Sequence, residues 1–242
     1  MSTSRPAFYA LQPGGWRDYL TLLHPPYTLW HLSYVAIGAA LAPDFDVERL
    51  LLALAAFFLA LGIGAHALDE LRGHPLRTRI SDRTLVWLSV VSVGGAVAIG
   101  IYATFAYTAW LAPFVAAGAF IVFAYNLELF GGAFHSDLWF ALAWGSFPLL
   151  TAYLAVAERI TLEALLAAAF AGFFSLAQRR LSTQVRTVRR RVVAVSGTLE
   201  LAGGEQEAVS AETLTAAPEA ALRAMTLAVV SLAICLVVLR LT

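Results

Sequence analysis

Long uncharged stretches alternate with short charged segments along this chain. No Asp, Glu or Arg occurs between Asp18 and Asp44, and none occurs from Leu50 to Leu68. About 20 apolar residues cross the hydrocarbon core of a bilayer, and a charge at its centre is costly, so each stretch predicts one membrane helix. The uncharged run from Thr84 to Leu127 is too long for a single crossing. Its polar and aromatic centre, near Thr104 to Thr108, predicts a tight turn between two helices. Leu138 to Ala157, Leu162 to Ala177 and Leu222 to Leu239 predict a fifth, sixth and seventh. Apolar positions run continuously instead of alternating, which argues against strands, and an open sheet exposed to lipid is not viable. Met1 to Trp16 lacks the apolar stretch of a signal peptide. The predicted organisation is a cytoplasmic segment over 1–18 and a six-helix membrane core over 19–177. A basic element with an acidic loop follows over 178–218, and a last helix over 219–242.

Composition agrees with this pattern. Hydrophobic residues make up 60% of the 242 residues and charged ones only 13%, against about 25% charged in soluble domains. Mean hydropathy is +0.75. The 16 basic residues are all arginine and are balanced by 16 acidic ones, so no global excess of charge points to nucleic acid. A single cysteine, Cys235, excludes an intramolecular disulfide framework and a cysteine-based metal site.

The arginines are unevenly placed. With the N-terminus in the cytoplasm, 13 of the 16 fall in cytoplasmic segments, leaving Arg49, Arg159 and Arg240 outside. By the positive-inside rule this predicts a multi-pass protein of the cell's inner membrane with a cytoplasmic N-terminus. In Arg179 to Val195 the residues Leu181, Val185, Val188 and Val192 recur at helical spacing among arginines. That suits an interfacial helix on anionic lipid or an extension of the sixth helix. Gly197, Gly203, Gly204 and the glutamates Glu200, Glu205, Glu207 and Glu212 then predict a flexible acidic loop.

Ionisable groups at the membrane boundary are the candidates for chemistry. If the second helix continues through Leu71, His66 lies one turn from Asp69 and Glu70, so imidazole and carboxylates share a face. Carboxylates can hold Mg²⁺ against a phosphate, and the guanidinium groups of Arg72, Arg77 and Arg79 can fork onto phosphate oxygens. Asn126 and Glu128, at the end of the fourth helix, lie at a similar depth. His31, Ser33 and Tyr34 are positioned to line a cavity or to hydrogen-bond between helices. His135 precedes a predicted cap of the fifth helix, Ser136 or Asp137.

These segments resemble the UbiA superfamily of intramembrane prenyltransferases. GAHALDELRGHPLRTRIS (64–81) stands where that family has an Asn/Asp-rich motif and an Arg-Pro-Leu element, with His74-Pro75-Leu76 in place of the latter. AYNLELFGGAFHSDLWFALAWGSFPLLTAYLA (124–155) is similar to its Tyr-containing loop and Gly/Pro-bearing fifth helix, through Tyr125, Gly132, Leu138, Gly145 and Pro148. LLHPPYTLWHLSYVAIGAALA (22–42) is similar to its first helix, with His24 in place of Arg. The resemblance implies an all-α bundle of about seven helices around a cytoplasm-facing cavity. It also implies transfer of a prenyl group from its diphosphate to an aromatic or lipid acceptor. His66, Asp69 and Glu70 would be catalytic, with one Mg²⁺ at most on Asp69 and Glu70. Arg72, Arg77, Arg79, Tyr125, Asn126, Glu128, Gln178, Arg179, Arg180 and Arg186 would bind substrate.

The chain departs from that pattern in its carboxylates. The first motif keeps one of the usual acids in either register, and SLAQRRLSTQVRTVRRR (175–191), where the second belongs, has none. Two expectations follow: a divergent enzyme, or a UbiA-like subunit without turnover that binds lipid or a protein partner.

Overall fold

The computed structural model describes residues 5–242. Its elements are α1 (Trp16–Leu22), α2 (Pro25–Leu41), α3 (Val47–Leu71), α4 (Asp82–Ala106), α5 (Leu111–Asn126), α6 (Asp137–Ala157) and α7 (Leu162–Arg191). A hairpin of β1 (Thr198–Glu200) and β2 (Gln206–Ala208) precedes α8 (Ala211–Leu241). Five helices, α3, α4, α6, α7 and α8, are long and apolar enough to cross a membrane, and α5 is a shorter apolar helix. Trp87, Phe105, Trp110, Phe173 and Leu227 stand on the outside of the bundle, each at least 60% exposed. Apolar surface on that scale would not stay single in water; with the long apolar helices it gives the outline of an α-helical membrane protein.

Local chemistry sets the helix boundaries. The side chains of Asp46, Ser81 and Ser136 accept from backbone N–H groups in the first turns of α3, α4 and α6. Ser210 and Thr213 form a reciprocal capping box on α8. α2 lies inside the bundle, between α6 and α8. Gly38 lets it approach the Leu149 carbonyl so closely that a Cβ would collide, and Gly145 does the same for α6 against Ala171 of α7. Small residues at helix crossings are how apolar helices pack when lipid offers no hydrophobic contrast.

The structure settles or shifts four segments. The first predicted helix breaks into α1 and α2 at His24, whose left-handed φ of 46° precedes two prolines. The basic segment resolves as an extension of the sixth helix, since α7 runs unbroken to Arg191. The acidic loop contains a two-stranded antiparallel hairpin, with Leu199 opposite Glu207. The last helix begins at Ala211, ahead of Pro218, because its capping box lies further upstream than hydropathy alone indicates.

Candidate functional site: a basic, histidine-lined cavity

The ends of α3, α5 and α7 meet with the start of α2 and the segment before α1. α3 takes wide π-helical turns over Phe58–Ala65, immediately before His66, and α6 does so over Leu142–Ser146, around Trp144. Such turns gather at functional sites because they re-aim the side chains around them. On α7, Gln178, Ser182, Val185 and Arg186 recur at helical spacing and turn one face inward. Together with Asp69, Tyr125, Asn126, His135 and Phe140 they enclose a cavity of about 100 Å³. Pro6 to Tyr9 also line it.

His24 is the most constrained group here. A left-handed backbone costs a non-glycine residue roughly 1–2 kcal/mol, and this one turns the imidazole inward. His24 stacks on His66, with ring centroids 4.1 Å apart and planes 9° from parallel. Its Nδ1 lies 3.0 Å from the Tyr9 hydroxyl. Burial pushes the His24 imidazole well below the usual histidine range, helped by His66, Arg190 and Arg186. Burial also pushes the Tyr9 phenol up. His31 donates Nδ1–H to the Trp144 carbonyl at 2.8 Å, and His135 Nδ1 lies 3.1 Å from the Tyr125 carbonyl. Four of the chain's five histidines therefore line one cavity.

The charges are only partly paired. Arg179 Nε meets Asp137 at 3.2 Å, and Arg72 meets Glu128 at 3.1 Å. Arg186 donates to Thr183 Oγ1 at 3.1 Å and Arg190 to the Pro6 carbonyl at 3.3 Å. Neither has a carboxylate in ion-pairing range among the described residues. Three buried polar atoms on lining residues also lack partners: His24 Nε2, Tyr125 Oη and Gln178 Oε1. Buried polar groups are nearly always hydrogen-bonded, so three orphans in one cavity call for a ligand or water.

The cavity has two neighbours. Towards the arginine-rich end it shares Asp69, Asn126, His135, Arg179, Arg186 and Arg190 with an open basin of about 400 Å³ that Arg72 and Glu128 also line. Towards the bundle interior it shares Trp144 with a second, almost wholly apolar cavity between α3, α4, α5 and α6, lined by residues such as Phe57, Val97, Phe114 and Phe147.

Of the residues singled out from sequence, His66, Asp69, Tyr125, Asn126, Gln178, Arg179 and Arg186 line the cavity, and Arg72 and Glu128 line the basin. Arg77, Arg79 and Arg180 line neither. Arg77 borders a separate cleft near Val192, Arg79 donates its backbone N–H to Asp18, and Arg180 pairs with Asp137. Glu70 also stands apart. It is fully buried, accepting from Leu76 N at 2.9 Å, Thr78 N at 3.0 Å and Thr78 Oγ1 at 2.8 Å. Its carboxylate ties down the loop after α3. Sequence reasoning gave no site role to Tyr9; Gln178, Ser182, Arg186 and Arg190 fall in one i, i+4, i+8, i+12 series on α7 and line the cavity together.

A Mg²⁺ on Asp69 and Glu70 does not fit this donor set. Mg²⁺ takes near-octahedral oxygen ligands. With both Glu70 oxygens engaged, Asp69 is the only carboxylate lining the cavity. Among the described residues no three His, Cys, Asp or Glu side chains converge as metal ligands. No protein-family model matches the chain, and neither a curated protein nor a solved structure matches it.

Proposed function

We propose that this protein is a divergent UbiA-like prenyltransferase, moving a prenyl group from a prenyl diphosphate to an aromatic or lipid acceptor. One observation carries the reading. A basic polar cavity and an apolar cavity meet at Trp144, the shape of a site for an amphiphile with an anionic head. In this reading Arg179, Arg186 and Arg190 hold the diphosphate and stabilise the charge it gains as its bond to the prenyl carbon breaks. The electron pair leaves with the diphosphate, the acceptor bonds to that carbon, and the acceptor's proton passes to Asp69 or His66. In this reading the apolar groups that line the cavity shield the allylic cation, and Trp144, Phe140 and Tyr125 offer π faces to it. By the distribution of arginines we place the protein in the inner membrane with its basic mouth in the cytoplasm.

The test is turnover. Protein in nanodiscs, given farnesyl diphosphate and a panel of phenolic and lipid acceptors, is expected to release diphosphate, with Arg186→Gln at least tenfold slower. A second reading, a lipid-binding or assembly subunit without turnover, is favoured by the engagement of Glu70 in the loop. Tight binding of the diphosphate with no product from any acceptor would select it over the enzyme.

A further inference from the structure

We infer that the cavity binds the phosphate or diphosphate ester of an apolar alcohol without a divalent cation, through Arg186, Arg190 and the unpaired polar atoms of His24, Tyr125 and Gln178. This rests on the anionic-headgroup part of the reading above and is independent of turnover.

The donor set is that of an anion site. Two guanidinium groups face the cavity without a carboxylate partner, and guanidinium forks match phosphate oxygens geometrically. In the tautomer where the Tyr9 phenol donates into Nδ1, the His24 proton sits on Nε2, the unpartnered atom, and an anion there selects that tautomer. The Tyr125 hydroxyl is a second free donor, and rotation of the Gln178 amide presents its NH₂ in place of Oε1. Burial strengthens each of these bonds and makes each costly to leave unmade. A cation-bridged headgroup needs the opposite inventory, several free oxygens. Asp69 is the only carboxylate lining this cavity, and it faces the same arginines. The adjoining apolar cavity, with Trp144 in both walls, suits a hydrocarbon remainder of the ligand.

The roles of Asp69 under the two schemes have opposite signs. If a metal bridges carboxylate and phosphate, removing the carboxylate weakens binding. If arginines hold the phosphate directly, Asp69 only repels it, and Asp69→Asn tightens binding. The full chain in phosphatidylcholine nanodiscs would be titrated with farnesyl phosphate, farnesyl diphosphate and inorganic diphosphate, in EDTA and in Mg²⁺. Expected are affinities for both farnesyl esters that agree within about twofold between EDTA and Mg²⁺. Asp69→Asn should bind about threefold tighter or more, and Arg186→Gln at least tenfold weaker at an unchanged melting temperature. Binding that requires Mg²⁺, or that Asp69→Asn weakens, would overturn the metal-free site and leave the headgroup reading standing. Inorganic diphosphate binding as tightly as the farnesyl esters would overturn the amphiphile class. Failure of either ester to bind in both conditions would overturn this inference and the headgroup reading together.

Discussion

The two ends of the bundle use arginine for different purposes. At the end away from the cavity, Arg49 Nη1 donates to the carbonyls of Ala155 and Val156 at 3.0 and 3.2 Å and pairs with Glu158 at 2.8 Å. Its guanidinium lies 4.2 Å from the Tyr107 ring centroid. Arg240, at the same end, donates to the carbonyls of Ala40 and Ala42. Both groups satisfy the orphan carbonyls that close α6 and α2, and both suit the negative end of a helix dipole. At the cavity end, Arg186 and Arg190 find a hydroxyl and one carbonyl between them. The first arrangement is complete as it stands. The second leaves cationic donors facing a cavity and its open basin without a carboxylate partner, an arrangement that an anionic ligand would complete.

That comparison can be broken by substitution. The largest expected effect falls on Glu70, which belongs to the scaffold although it sits in the candidate motif. Glu70→Ala leaves the Leu76 and Thr78 N–H groups buried without acceptors, at about 1–3 kcal/mol for each unsatisfied group. A large drop in melting temperature, with loss of headgroup binding only in proportion to loss of folded protein, is the outcome to look for in detergent-solubilised material. Retained stability with selective loss of binding would return Glu70 to the site. Next in size are the arginines themselves, tested as a pair. Arg49→Ala should cost roughly 1–2 kcal/mol of stability, a few degrees in Tm, and leave farnesyl diphosphate binding unchanged. Arg186→Ala should do the reverse. If both variants lose stability alike, the cavity-end arginines are structural and the contrast fails.

Much of this was legible from sequence because a bilayer imposes so few choices. Uncharged length placed the long apolar helices, and the distribution of arginine grouped the residues that meet at the basic end. The site was harder to read. Spacing put Asp69 and Glu70 side by side in the chain, but adjacent helical residues diverge by about 100°, and only Asp69 reached the cavity. No periodicity announces that Tyr9, before the first helix, folds back onto His24. That contact depends on a left-handed turn adopted by a histidine, which no local preference favours. The apolar cavity was equally invisible, since its lining differs from ordinary core residues only in failing to fill the space.

His24 and His74 carry the contrast into pH, with opposite signs. For His24, burial depresses the folded value below the unfolded one of about 6.5. The unfolded chain therefore binds more protons, and stability falls as pH drops below about 6.5. His74 lies in the loop after α3, outside the membrane helices. Its Nε2 is 2.9 Å from Asp82 Oδ1 and its Nδ1 is 3.5 Å from Glu70 Oε1. The hydrogen bond to Asp82 lifts the His74 imidazole above the usual histidine range. Its contribution is thus fully present below about 6.5 and is lost as pH rises through the raised folded value. Both His74 and Asp82 are open to solvent, so this alkaline limb should be the smallest effect of all. Melting temperature followed from pH 5 to 9 should decline at both ends. His24→Gln should flatten the acid limb and His74→Gln the alkaline one. An alkaline limb that survives His74→Gln would mean that another group titrates in that range, and that the protonated His74–Asp82 contact carries no weight in holding the loop.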